Sequence, residues 1–273
     1  GAAFRLPLPE GFWPEAGVVT ACLAVLLGLG LNSSLRDHRR TTLWIGCASL
    51  TLLIALFIGY PHLNDFDQGL SALVQEHRSA WLDEAMVMVT QLGEFKKMFV
   101  ASAVFTGLLL LARQWRHAIF VGATLAGSAV INTGSKLFFA RGRPEILTDP
   151  LTSFSMPSGH ASGAFAFFLA LAVLAGCGQP TRLRLTWILL GCIPAAFIAL
   201  SRVYLGAHWP SDILAGTLLA MTVCAFSLTA IQHRSPLPPL RKKTWWLLLP
   251  AIVAVLSFIA LTGTSHALLR YAY

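Results

Sequence analysis

Apolar runs long enough to cross a bilayer recur along the chain, separated by short polar connections. A hydrocarbon core about 30 Å thick takes roughly 20 helical residues at ~1.5 Å each. By that measure there are about eight spans, at roughly 16–35, 41–60, 97–112, 117–139, 160–177, 183–203, 212–231 and 244–263. The one long connection, about residues 61–96, is patterned differently. Leu70, Leu73, Val74, Trp81, Leu82, Ala85, Met86, Val89 and Leu92 recur at helical spacing between polar residues. That amphipathic stripe predicts a segment lying along the outer membrane interface, either packed on the bundle or gating lipid.

Composition agrees with the pattern. The chain of 273 residues is 56% hydrophobic and 12% charged, with a mean hydropathy of +0.67, whereas soluble domains carry about 25% charged residues. The fold class expected is all-α: a polytopic membrane helix bundle, with no internal repeat or low-complexity tract. The stretch "PEGFWPEAG" before the first span is acidic and lacks a positive n-region, so that span reads as retained rather than as a signal peptide. Cys22, Cys47, Cys177, Cys192 and Cys224 all fall inside apolar spans without CxxC spacing. They read as plain core residues, neither disulfides nor metal ligands.

Charge orients the bundle. One set of connections holds Arg36, Arg39, Arg40, Arg113, Arg116, Arg182, Arg184, Arg234, Arg241, Lys242 and Lys243 against the single acid Asp37; the other eleven acids, Asp65, Glu94 and Asp149 among them, lie on the opposite set. Short loops rich in Lys and Arg stay in the cytoplasm, so the acidic face is expected outside, periplasmic in a bacterial inner membrane. The net charge of +8 then reflects topology and anionic headgroups, and a nucleic-acid partner is not expected.

Several polar residues stand where apolar spans meet that outer face. Lys136 closes one span and is followed by Arg141, Arg143 and Pro144; Ser158, Gly159 and His160 open the next; Ser201 and Arg202 close a third; His208 and Asp212 precede a fourth. A lone arginine at a span end snorkels. Three of these cations, Lys136, Arg143 and Arg202, and two histidines at one depth form a site suited to an anion. Lys136 and Arg143, seven apart, can face one direction while Pro144 takes Arg143 out of helical geometry. A guanidinium forks two oxygens and the ammonium adds a point charge. In "PSGH", Ser158 reads as an N-cap and Gly159 as a place for close approach, at a helix start whose free N–H groups suit phosphate. In "HWPSD", Pro210 suits the first helical position. Asp212 can then reach back to one nitrogen of His208 and leave the other as a nucleophile.

These stretches, "KLFFARGRP", "PSGH" and "SRVYLGAHWPSD", resemble the three motifs of the type 2 phosphatidic acid phosphatase superfamily, K-x6-RP, PSGH and SR-x5-H-x3-D, with every defining position matched in order. The resemblance covers about residues 41–231, a six-helix core, and leaves 1–40 and 232–273 as additions carrying one extra transmembrane helix each. It implies a phosphatase that works without a metal or other cofactor. His208 would attack phosphorus, Asp212 would orient it, and His160 would protonate the leaving oxygen. Lys136, Arg143, Arg202, Ser158 and the Gly159 backbone would bind the phosphoryl oxygens, and water would then attack the resulting phosphohistidine, with His160 as base. The motifs read only the phosphate. The substrate expected is therefore a lipid phosphate from a range that includes phosphatidic acid, phosphatidylglycerol phosphate, undecaprenyl diphosphate and lipid A. Two other readings stand beside hydrolysis: a phosphotransferase in which a second lipid replaces water, and a transporter. Transporters keep ionisable residues near the bilayer midplane, where these spans hold almost none.

Overall fold

A computed structural model describes residues 7–34, 38–147 and 151–272. Arg36, Asp37 and Asp149, which entered the charge reading, lie outside the described residues. The described chain is helical without strands. Its order is α1 (Phe12–Ser34), α2 (His38–Gly59), a 3-10 turn (Tyr60–Leu63), α3 (Asn64–Glu76), α4 (Ala80–Gln91), α5 (Phe95–Leu111) and α6 (Trp115–Phe139), then α7 (Gly159–Gly176), α8 (Thr181–Tyr204), α9 (Pro210–Ile231), α10 (Lys242–Leu261) and α11 (Thr264–Arg270). Eight long apolar helices occupy the eight expected segments. Among the described residues, seven helical segments are long and apolar enough to cross a membrane. The eighth, α5, has 17 residues, about 25 Å of helix, at the lower end of the spanning range.

The bundle is arranged around α7, which packs on α6, α8 and α9, while α2 lies along α9, α1 along α2 and α10 along α5. Most side chains of α7 are small or aromatic, and 12 of its 18 residues are buried. Phe167 meets Phe105 of α5 edge-on at 5.4 Å, an arrangement aromatic rings favour. Where α8 passes α7, a Cβ on Gly191 would fall 2.8 Å from the Phe168 carbonyl oxygen, so only glycine allows that approach. The outer surface is apolar instead of charged: Ile58, Leu111, Val130, Phe138 and Trp246 are all exposed, as a lipid-facing surface requires. Cys22 and Cys47 lie exposed on that surface too, a correction to their reading as core residues, because in lipid both faces of a helix are apolar.

The long connection forms α3 and α4, which pack across the end of the bundle against α8, with α11 on α4. The expected stripe is only partly the buried face. Val74, Val87, Leu82 and Met86 cluster with Tyr204, Leu205 and Tyr271, but Leu73 and Trp81 are exposed while Asp67, Ser71, Thr90 and Gln91 are buried. Part of the polar face turns inward, toward a polar site.

Candidate active site

Two helix starts and two helix ends meet at this end of the bundle. Ser158 is buried and caps α7, its Oγ accepting the Ala161 N–H at 3.2 Å. Trp209 precedes Pro210 at the start of α9, and Asp212 turns back so that its Oδ2 accepts the Trp209 N–H at 2.8 Å. The two starts are joined by the Ser158 N–H donating to the Asp212 carbonyl at 3.1 Å, and they are close because α9 carries Gly216, where a Cβ would sit 2.6 Å from the Ser158 oxygen. α6 ends at Phe139, followed by Ala140 in the left-handed region at φ 47°, so the chain leaves the helix before Arg141 and Arg143.

All eight residues singled out from the sequence come to this place. The Lys136 ammonium would lie 3.9 Å from a Cβ on Gly159, which sets it beside the start of α7. Arg143 is held on both edges: NH1 donates to the Ala207 carbonyl and to His208 Nε2, each at 2.8 Å, and Nε donates to the Ser153 carbonyl at 2.7 Å. Burial, then the neighbouring Arg202, lowers the Arg143 guanidinium to about 10, which leaves it charged at neutral pH. Arg202 is buried; NH1 donates to the Tyr271 hydroxyl at 2.7 Å and to Thr90 Oγ1 at 3.2 Å, while its Nε has no hydrogen-bond partner. A buried donor left unsatisfied costs about 1–3 kcal/mol, more when charged.

The protonation of His208 follows from its partners. A guanidinium only donates, so the nitrogen that accepts from Arg143, Nε2, carries no proton. The proton is on Nδ1, which faces Asp212 Oδ2 at 3.4 Å. Burial, followed by the charges of Arg143, Arg202 and Lys136, holds the imidazole well below its ordinary value, so at neutral pH it is an uncharged base with a lone pair toward the cations. His160 lies within electrostatic reach of the same three cations and of His208. A Cβ on Gly93 would come 2.8 Å from His160 Cδ2, so the α4–α5 connection closes against that ring. Among the described residues no group of three or more His, Cys, Asp or Glu could hold a metal ion.

Several neighbours of the site were not assigned to it from the sequence. Arg141 NH1 donates to Asp212 Oδ1 and to Ser211 Oγ, and NH2 donates to Asp67 Oδ2, each at 2.7 Å. Asp67 in turn accepts the Ser211 N–H at 2.8 Å. Ser155 Oγ donates to Asp212 Oδ2. Tyr271, just past α11, holds Arg202. Only Arg141 gave a signal, as one of the cations at the end of a span. Nothing local links Asp67 or Tyr271 to residues 74 and 69 positions away.

Comparison with known proteins agrees with the motifs. Residues 117–236 match the model of the PAP2 superfamily. The chain is 32% identical over 180 residues to a lipid A 1-phosphatase of Rhizobium johnstonii, covering 54% of this chain and 69% of that one. It is 29% identical over 199 residues to an undecaprenyl-diphosphatase of Sulfolobus acidocaldarius, covering 69% and 88%. The crystal structure of a transmembrane PAP2-type phosphatidylglycerolphosphate phosphatase from Bacillus subtilis shares the fold, with a TM-score of 0.61 at 21% identity over 70% of this chain and 97% of the other.

Proposed function

The chain belongs to the PAP2 superfamily and is a multi-span membrane phosphatase, and we propose that it hydrolyses a lipid phosphate at the outer, periplasmic face of a bacterial inner membrane through a phosphohistidine. The observation that carries this reading is the bare Nε2 of His208 facing Arg143, beside Lys136, Arg202 and the capped start of α7. A phosphoryl group seated among those donors presents its phosphorus to Nε2. The guanidinium of Arg143 then exchanges its bond to the ring for bonds to phosphoryl oxygen, while Asp212 steadies the charge growing on the imidazole. His160 donates its proton to the oxygen that leaves. Water afterwards attacks phosphorus, giving its proton to His160, and the P–N bond breaks to free orthophosphate.

That the substrate is a lipid is supported by a trough of about 520 Å3 between α5, α6 and α7. Exposed Phe95, Phe99 and Val130 stand along it, and Asn132 and Gly159 line its site end. An acyl or prenyl chain in that trough would bring its phosphate to Gly159. The names of the relatives place undecaprenyl diphosphate and lipid A within the range of substrates to be tried.

The test is release of orthophosphate by purified protein over a panel of lipid phosphates, with EDTA present and with vanadate, which mimics five-coordinate phosphorus, as inhibitor. Activity is expected to persist in EDTA, to fall with vanadate and to vanish in His208→Ala. A His208→Ala protein that folds and retains wild-type specific activity would overturn the mechanism. Phosphate appearing on a second lipid instead of in solution would establish transfer in place of hydrolysis.

A further inference from the structure

A second cavity, of about 290 Å3, lies against His160 and differs from the trough in chemistry. Its walls are the end of α4, the start of α5 and the helix α11, and its lining is polar. Lys97 and Arg270 bring two positive charges and His266 a further imidazole, against the single carboxylate of Glu94. Lys97 pairs with Glu94 at 3.2 Å and its ammonium also reaches the Gln91 side chain. A third cation backs the wall: Thr90 and Tyr271, which both line the cavity, are the two side chains that receive hydrogen bonds from Arg202.

Resting on the mechanism above, in which His160 gives its proton to the leaving oxygen, we propose that this cavity binds a second phosphate group carried by the leaving group. The substrate class is then a lipid with two phosphates, of which the terminal one is removed. In the transfer step the bond from the terminal phosphorus to its bridging oxygen breaks, the bond to His208 Nε2 forms, and the bridging oxygen leaves with the proton of His160 as part of a lipid that keeps its own phosphate. A leaving group that is a neutral alcohol, such as diacylglycerol or a prenol, has nothing with which to replace the water around Lys97 and Arg270. A phosphate there meets both. The location fits a role in selectivity. Apart from His160, the lining comes from residues 90–97 and 263–271, outside the 117–236 segment that matches the superfamily model, whereas all eight motif residues lie inside it.

Two pairs of lipids isolate the effect, because within each pair the tail is the same: farnesyl diphosphate against farnesyl monophosphate, and phosphatidylglycerol phosphate against phosphatidic acid. The readout is the ratio of kcat/KM within a pair, measured on one preparation so that any loss of folded protein cancels. Wild-type protein is expected to favour the two-phosphate member. The double variant Lys97→Ala/Arg270→Ala should lower that ratio about tenfold, the scale of two partly exposed charge contacts, in at least one pair. A shift in the farnesyl pair places the second phosphate directly on the bridging oxygen; a shift in the glycerolipid pair places it farther along the headgroup. A ratio unchanged by the double variant in both pairs overturns the subsite. No phosphate release by wild-type protein from any of the four lipids overturns the phosphatase reading itself.

Discussion

At the scale of single residues, the placement of His208 depends on a chain of contacts that ends far from phosphorus. Asp212 faces His208 at 3.4 Å, the loosest of its contacts; Trp209, Ser155 and Arg141 hold it more tightly. Arg141 is itself anchored by Asp67, whose carboxylate also takes the Ser211 N–H at the start of α9. Asp67 thereby fixes the guanidinium that aims Asp212, and its charge offsets that of Arg141 so that Asp212 keeps its full effect on the imidazole. Asp67→Asn keeps the size and removes the charge. It should lower kcat about tenfold or more with little change in KM, because Lys136, Arg143 and Arg202, the proposed phosphate ligands, are left in place. In an Arg141→Gln background the same substitution should add little, since groups acting through one another are not additive. Equal kcat losses from Asp67→Asn in both backgrounds would mean that Asp67 does not act through Arg141.

At the scale of elements, the site is formed where helices end, and close approach of backbones sets its geometry. Gly216 lets α9 lie against the start of α7, with the Ser158 carbonyl 2.6 Å and Ala161 Cβ 3.0 Å from where a Cβ would stand. Backbone cannot swing aside as a side chain does. Gly216→Ala should therefore push the two helix starts apart, lower the melting temperature by several degrees and reduce activity together. Gly134→Ala in α6, where an added Cβ meets nothing within 4 Å, is the matched control. It should leave stability unchanged or raise it slightly, since alanine favours helix over glycine by about 1 kcal/mol. Similar loss from both would refute the packing argument. The helices themselves were legible because a membrane demands long apolar runs: α7 was expected at 160–177 and lies at Gly159–Gly176. The motif residues were legible because each group of them is local in the chain. Asp67, Thr90 and Gln91 were not, because periodicity assigns a polar face to water, and here that face turns toward a polar site. The seven residues of α11 are too few for periodicity to register at all, and so the anchoring of Arg202 by Tyr271 left no trace in the sequence.

At the scale of the whole molecule, the two ends of the bundle are unlike in charge, and the proposed orientation rests on that difference. Arg116 at the start of α6 donates to the Ile231 and Pro236 carbonyls at 2.7 and 3.2 Å, and Thr41, Thr181, Arg184 and Pro236 line one shared cavity. The basic connections therefore gather at a single end. His160 and His208 stand at the other, separated from it by the 18 residues of α7, about 27 Å of helix. Each Lys or Arg near an anionic cytoplasmic leaflet is worth about 1 kcal/mol. With so many of them at one end, inversion of the bundle would be strongly unfavourable. The expected orientation puts the basic end in the cytoplasm and the histidines outside, so that a lipid phosphate is cleaved on the outer leaflet. Single cysteines test this in a protein whose own five cysteines are replaced, a step needed because Cys22 and Cys47 are exposed. His62→Cys, on the exposed turn after α2 at the histidine end, should react with a membrane-impermeant maleimide in intact cells. Ser235→Cys, in the loop before α10, should react only after the cells are opened. Labelling of Ser235→Cys but not His62→Cys in intact cells would invert the orientation and move the site to the cytoplasmic leaflet, leaving its chemistry as derived.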